Sequence, residues 1–264
     1  MKRLPGVFEA KKKDGNTYYR ASITFRSKHI SLGSFPTESQ AGQAYQEAKS
    51  LLENPDTLSP DEYLADSNAA LSFTKWITLI NFKNNGFYIK TPIYLQSNFF
   101  SYYLSPTDVL IFDADDLFYY SNHSIMRRGN HLFVAEYGMQ TNIHSRYGIK
   151  NFARLGVDYR FVNGDTNDFR YSNIEILNSY HGVTCQNKGT GKIYTAKIHI
   201  HGDYMIGNYT TDVEAAVAYN KAADILQKKK IKKNFERNYI EKLNSDEYHR
   251  LYDSVSISKK ILEY

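Results

Sequence analysis

Cysteine is nearly missing from this chain: Cys185 is the single one in 264 residues. No internal disulfide and no cysteine-built zinc site is therefore possible. Long apolar runs are missing too. None approaches the roughly 18 residues that a membrane span needs, although 42% of the residues are hydrophobic. The opening Met1-Lys2-Arg3-Leu4-Pro5-Gly6 leads into patterned sequence without the apolar core of a secretion signal. These absences lead us to expect a soluble, cytoplasmic chain (nucleoid-associated in a bacterium) with no membrane partner. A strong charge excess is also lacking. The net charge of +5 is compatible with a polyanionic partner without demanding one. What is plentiful is tyrosine, with 23 residues. Tyrosine serves a core as well as an interface, so its abundance alone decides nothing. The length suffices for two or three compact units.

An internal repeat organises the chain. One copy runs from Gly6-Val7 to Leu52 and the other from Gly182-Val183 to Leu226. After Gly-Val comes a charged stretch with a glycine turn, Lys12-Lys13-Asp14-Gly15-Asn16 or Lys188-Gly189-Thr190-Gly191. Tyr19-Arg20-Ala21 matches Tyr194-Thr195-Ala196, Gly33 matches Gly207, Phe35 matches Tyr209, and Thr37 matches Thr211. Ala44-Tyr45 and Ala218-Tyr219 close the pattern. Each copy reads as three strands and a helix. Tyr19, Ala21, Ile23 and Phe25 alternate with polar residues, as do Tyr194, Ala196, Ile198 and Ile200. Period two gives one buried and one polar face. Asp14-Gly15 and His201-Gly202-Asp203 fit hairpin turns. Thr37 to Gln40 and Thr211 to Glu214 both read as capping boxes. The stripes Ala41, Ala44, Tyr45, Ala48, Leu52 and Ala215, Ala218, Tyr219, Ala222, Leu226 each define one helix face. The helix then covers one side of its sheet and leaves the other open.

Arg20, Thr24 and Arg26 are expected on the open face of the first copy, with Lys11, Lys13 and Lys28 flanking it. Lys197, His199 and His201 are expected on the second, led by Lys192. A narrow antiparallel sheet can enter the major groove and contact bases and phosphates. The plain alternative is a polar face turned to water. The order Gly-Val, Tyr-x-Ala-x-Ile, Gly-x-aromatic-x-Thr, Ala-x-x-Ala-Tyr resembles the Apetala-two/ethylene-response-factor DNA-binding domain. The two matches span about a third of the chain. The resemblance implies a three-stranded sheet laid in the major groove with a helix behind it. Tyr19 and Tyr194 stand where that family usually has Trp, and Pro5 and His181 where it commonly has Arg. Those departures bear on base preference rather than fold.

The segment between the copies is different. Phe87–Ile89, Pro92–Leu95, Val109–Phe112 and Leu132–Val134 read as strands, and Asp113 to Asp116 as a capped helix start. Tyr159-Arg160-Phe161-Val162-Asn163-Gly164-Asp165, Asp168-Phe169-Arg170 and Ser172-Asn173-Ile174 together resemble the core of HNH homing endonucleases, as does Ile143-His144-Ser145-Arg146 upstream. In that family a hairpin and a helix grip one divalent metal. The resemblance implies Asp and His where this chain has Arg160 and Phe161. A guanidinium does not ligate Mg²⁺, and a phenyl ring accepts no proton. Asn163, Asp165, Arg170 and Asn173 persist and are explained by a tight turn, and His144 reads as a remnant. Asp158 is the one candidate substitute ligand. Arg127, Arg128, Arg146, Lys150, Arg154 and Arg160 are further candidates for phosphate contacts, or a plain solvated surface.

A lysine-rich run from Gln227 to Arg237 is either a phosphate-binding stripe or a solvated helix exit. Leu58-Ser59-Pro60-Asp61-Glu62-Tyr63 recurs as Leu243-Asn244-Ser245-Asp246-Glu247-Tyr248, with helix starts expected at Ser59 and Ser245. The expected class is α+β: sheet-plus-helix modules at 1–68 and 180–264 flanking a central HNH-like α+β domain at 69–179. The expected function is non-catalytic, sequence-specific binding of double-stranded DNA, as a transcription regulator or a mobile-element derivative. No metal, cofactor or small-molecule substrate is expected. The rivals are a site-specific HNH nuclease with a non-standard centre and a protein-interaction module.

Overall fold

The computed structural model describes residues 4–63, 69–189 and 191–264. The fold is α+β, with five small antiparallel sheets and six helices among the described residues. Two compact units divide the chain. One holds the chain up to Ile143 together with Thr166–Tyr171; the other holds His144–Asp165 and Ser172–Tyr264. The boundary expected after residue 68 falls at residues 64–68, outside the described residues, and so does Thr190 of the second expected turn. No helix among the described residues is long and apolar enough to cross a membrane.

The first unit opens with β1 (Val7–Lys11), β2 (Thr17–Phe25) and β3 (Lys28–Phe35), backed by α1 (Glu38–Glu53). Then follow α2 (Phe73–Asn85), the sheet β4 (Ile93–Leu95), β5 (Phe99–Ser105) and β6 (Asp108–Asp113), helix α3 (Leu117–Asn122), and the sheet β7 (Ile125–Arg128), β8 (His131–Glu136) and β9 (Met139–Asn142). One core lies between β1–β3, α1 and α2, centred on Ile30, Ala44, Ala48, Ile77 and Ile80. The Glu47 carboxylate accepts from Ala70 N and Leu71 N at 3.1 and 2.7 Å, which fixes the approach to α2. Phe100, Phe112, Tyr120 and Phe169 form a second, aromatic cluster.

The second unit contains the hairpin β10 (Tyr159–Phe161) and β11 (Ile174–Ile176), then β12 (Val183–Lys188), β13 (Gly191–His199), β14 (Asp203–Tyr209), α4 (Asp212–Lys228), α5 (Ser245–Ser254) and α6 (Lys259–Leu262). Its core packs α4 between the sheet and the C-terminal segment, where Phe235, Ile240, Val255 and Ile261 are buried.

The repeat is repeated in three dimensions. Val7 pairs with Ala21 and Val183 with Ala196; Gly33 pairs with Ala21 and Gly207 with Ala196. A β-bulge follows the same alanine in each copy. Ser22 N donates to Gly6 O at 2.9 Å, and Lys197 N to Gly182 O at 2.7 Å. Both of these glycines have positive φ, +69° and +73°, and each lies against the ring of the helix tyrosine, Tyr45 or Tyr219. A Cβ would sit 2.1 Å from Tyr45 or 2.4 Å from Tyr219. The joint recurrence of Gly-Val and Ala-Tyr thus encodes one contact. The copies differ by one residue in the turn between their second and third strands. Four residues separate the Thr24–His29 pair, and three separate His199 from Asp203.

Several expectations differ from the structure in instructive ways. Arg26 is not on the strand; it and Ser27 form the tight turn with φ of 45° and 62°, the left-handed conformation of a type I′ hairpin. No glycine or asparagine marks that turn. Phe87–Ile89 forms no strand, because Asn81 Nδ2 takes the Phe87 carbonyl at 2.9 Å. Asp113 precedes a 3-10 turn (Ala114–Asp116) without capping it; its carboxylate accepts from Tyr171 N at 2.7 Å instead. The capping box of α4 is complete, whereas the Gln40 side chain meets the Thr37 hydroxyl rather than the cap N–H. Ser59 does cap a short 3-10 turn (Pro60–Glu62), while α5 is capped by Asn244 rather than Ser245. The lysine run begins where α4 stops at Lys228, and Lys230 at φ 62° turns the chain away. Lys230 N bonds Gln227 O and Ile231 N bonds Leu226 O, a Schellman ending.

Candidate nucleic-acid interface

Strand alternation and cross-strand pairing fix which residues share each open face. In the first copy Phe8 and Ala10 from β1 lie with Tyr18, Arg20, Ser22 and Thr24 from β2 and His29, Ser31 and Ser34 from β3. Arg20 Nη2 donates to the Tyr18 hydroxyl at 2.6 Å and the guanidinium lies 5.4 Å from the Tyr18 ring centroid. Phe8 is 54% exposed and stands directly opposite Arg20. Thr24 approaches the His29 ring at 3.5 Å. Among the described residues no carboxylate belongs to this face.

Not every expected residue lies there. Lys11 shares the helix-side parity of Val7, and Lys13 sits in the hairpin loop beyond the strand end; both are exposed. The Asp14 carboxylate of that loop is engaged locally, accepting from Asn16 N and Asn16 Nδ2 at 3.0 Å. Arg26 donates from Nη1 to Phe82 O at 3.2 Å, so it serves the end of α2. Lys28 lies 5.3 Å from the Tyr88 ring centroid.

The second open face carries Thr184, Gln186, Ile193, Thr195, Lys197, His199, Asp203, Met205 and Asn208. Thr195 is buried and donates to Asn208 Oδ1 at 2.7 Å. His199 Nδ1 lies within hydrogen-bond distance of Asp203 Oδ1, at 2.7 Å. The hydrogen bond from His199 holds the Asp203 carboxyl below its ordinary value, helped by the positive fields of His199, Lys197 and Arg154. Lys192 has the helix-side parity of Tyr194, and His201 lies in the turn; both are exposed. Phe8, Tyr18, His29 and Arg154 were not singled out as face residues by the sequence. The Phe8–Arg20 register could have been found by aligning Val7 with Ala21.

The nuclease-like segment is built around other bonds. Phe161 is buried against Tyr159, and Arg160 points outward to Glu175 at 2.6 Å. His144 is half-buried, edge-on to Tyr159. Asn163 Oδ1 accepts from Asp165 N at 2.8 Å, Asn173 Oδ1 accepts from Asn163 N at 2.8 Å, and Asn173 Nδ2 reaches Asp165 O at 3.4 Å. These side chains therefore lock the loop between the hairpin strands. Asp158, the candidate substitute ligand, is buried. Its carboxylate accepts from Arg154 N at 2.8 Å and Asn178 Nδ2 at 2.9 Å and lies 3.6 Å from Arg154 Nε. No helix follows β11; the chain passes through Asn178 and Tyr180 into β12. No cluster of three or more His, Cys, Asp or Glu side chains among the described residues could hold a metal ion. No protein-family model, curated protein or solved structure matches the chain.

Proposed function

We propose that this chain binds double-stranded DNA, laying the open face of β1–β3 in the major groove with the exposed hairpin lysines on the flanking phosphates. The carrying observation is that face itself. It is uncovered, free of carboxylates, and presents Arg20 fixed against Tyr18. A guanidinium held in place is suited to bidentate contact with a guanine edge or a phosphate. The second sheet, less cationic, adds affinity when both modules reach one duplex. The hairpin segment serves the fold rather than strand cleavage, because the side chains of Asn163, Asn173 and Asp158 bond backbone and neighbours, two of these bonds to the backbone of Asp165.

Fluorescence anisotropy with labelled duplexes selected from a random pool tests the reading. Affinity should fall steeply with salt, since each phosphate contact releases counterions. Selected duplex should outcompete heparin. Equal affinity for heparin and for every duplex would overturn sequence-specific binding. Nicking of supercoiled plasmid with Mg²⁺ or Mn²⁺ would overturn the non-catalytic part alone.

A further inference from the structure

The second repeat has a feature for which its first-repeat counterpart lacks the residues. A cavity of about 240 Å³ opens where the loop before β10 stands over the open face of β12–β14. Arg154 comes from the loop; Lys197, His199 and Asp203 come from the sheet; His181 forms the inner wall. In the first repeat the positions of His181, Lys197, His199 and Asp203 are occupied by Pro5, Ser22, Thr24 and His29. The scaffold is the same, so these side chains are not required by the fold.

Three observations define what the cavity takes. His181 Nδ1 is buried and has no hydrogen-bond partner, its ring held edge-on between Phe152 at 5.0 Å and Tyr219 at 5.3 Å. A desolvated ring nitrogen left unbonded is unfavourable, and the His181 ring belongs to the cavity wall. Lys197 is exposed and forms no ion pair among the described residues. The Asp203 carboxylate already sits among Arg154, Lys197 and His199, at the fully exposed rim. It marks the spot where negative charge is welcome. The other acid of the lining, Asp158, is buried, hydrogen-bonded and paired with Arg154. The volume is below the roughly 300 Å³ at which pockets begin to hold drug-sized molecules, so the group is small.

We propose that this cavity is a phosphate site, in which the phosphate oxygens meet Lys197, His199 and the guanidinium of Arg154 beside the His181 ring. Cations on separate elements converging on one oxyanion are the usual solution for phosphate, and arginine adds a planar fork. The phosphate belongs either to a polynucleotide backbone or to a free phosphorylated molecule. The site does not depend on groove binding by the first repeat.

The test is a titration of inorganic phosphate into the full chain, followed through the histidine ring resonances by NMR. The rings of His181 and His199 should shift together and saturate. Lys197→Gln should weaken binding about tenfold, the loss of one charge-assisted bond. Asp203→Asn should strengthen it by a few-fold, because a competing carboxylate is gone. Both positions are exposed, so neither change threatens the fold. A short duplex displacing the phosphate assigns the site to a backbone, and a deoxynucleoside monophosphate that binds where the duplex does not assigns it to a free ligand; each supports the site. Silence of both rings, equal binding by acetate, or the same phosphate affinity in both variants would overturn it. Unchanged duplex affinity in Arg20→Glu, with phosphate binding intact, would sink groove binding by the first repeat and leave this site standing.

Discussion

The two repeats share a frame and differ in what they expose on it. Register, bulge, helix cap and the glycine-on-tyrosine contact coincide. On the first open face Arg20 is held against Tyr18; on the second, His199 is tied to Asp203 and Thr195 to Asn208 beside a walled cavity. The backs differ also. Tyr209, whose phenol burial pushes up to about 12, donates to Ser256 O at 2.7 Å, whereas Phe35 has no hydroxyl to bond anything. What coincides is what a three-stranded sheet needs to hold one helix. What differs is free to carry function, and it is on this difference that the two proposals, groove binding by the first face and a phosphate site beside the second, rest.

The shared frame is most severely tested at its glycines. Gly6→Ala and Gly182→Ala each put a Cβ within 2.6 Å of a carbonyl oxygen and closer still to a tyrosine ring, at positive φ. Overpacking and left-handed strain together should cost roughly 3–5 kcal/mol in either repeat. Gly202→Ala, with open space around it, should be nearly silent. Urea unfolding of the three variants measures this. A tolerated Gly6→Ala would mean that the first repeat does not rest its helix on the strand as the second does.

The same contact explains why the repeat was legible in the sequence. Gly-Val and Ala-Tyr lie about 40 residues apart but describe one touching pair, so both recur together. Period-two alternation gave the sheet faces, since one side of each sheet is buried under a helix. Local chemistry without a distinctive residue was hidden. The Arg26-Ser27 turn adopts positive φ with neither glycine nor asparagine. Asp113, expected to cap a helix, accepts instead from Tyr171 N, and Asn81 donates to the Phe87 carbonyl in a segment that reads as a strand. The cavity was illegible for another reason: Arg154 and Lys197 meet only through the fold.

If the first face reads the duplex, Arg20→Glu should lower affinity by about tenfold or more, the 1–3 kcal/mol of one good base or phosphate contact. Lys197→Glu should lower it less, because its face is partly occupied by its own His199–Asp203 pair. Anisotropy on both variants decides. Equal losses would erase the functional difference between the repeats and put both faces on the DNA.

The helix caps provide a smaller contrast. Glu214 accepts from Thr210 N and Thr211 N at 3.1 Å and from the Thr210 hydroxyl at 2.8 Å, while Gln40 offers α1 no such return. Glu214→Ala should cost about 1–2 kcal/mol and Gln40→Ala a few tenths. Burial raises the Glu214 carboxyl, but the hydrogen bonds from Thr210 and Thr211 outweigh it and bring it below the ordinary 4.5. A depressed folded value means that the contribution is complete above pH 4.5 and fades as pH falls through the folded value. Acid melting curves of Glu214→Gln should lack that component; identical curves would show the cap to be idle.

The smallest expected effect lies at the turn where the copies differ in length. Ser27 holds φ at 62° with a side chain that disfavours it. Ser27→Gly relieves that strain, of order 1 kcal/mol, but returns some of it through the freer unfolded chain. The net gain should be about 0.5 kcal/mol, a rise in melting temperature of roughly 1–2 °C for a domain of this size. At the second repeat the sign reverses. Gly202 is outside the positive-φ region and has no heavy atom within 4 Å of a built Cβ, so replacing it by Ala removes unfolded-state entropy without strain and should be neutral to slightly stabilising. A glycine favoured at position 27 and dispensable at 202 would locate the copies' one-residue difference in backbone conformation rather than in packing. Calorimetry giving a loss for Ser27→Gly would mean that the Ser27 side chain, not the turn's φ, holds the ribbon tip in place.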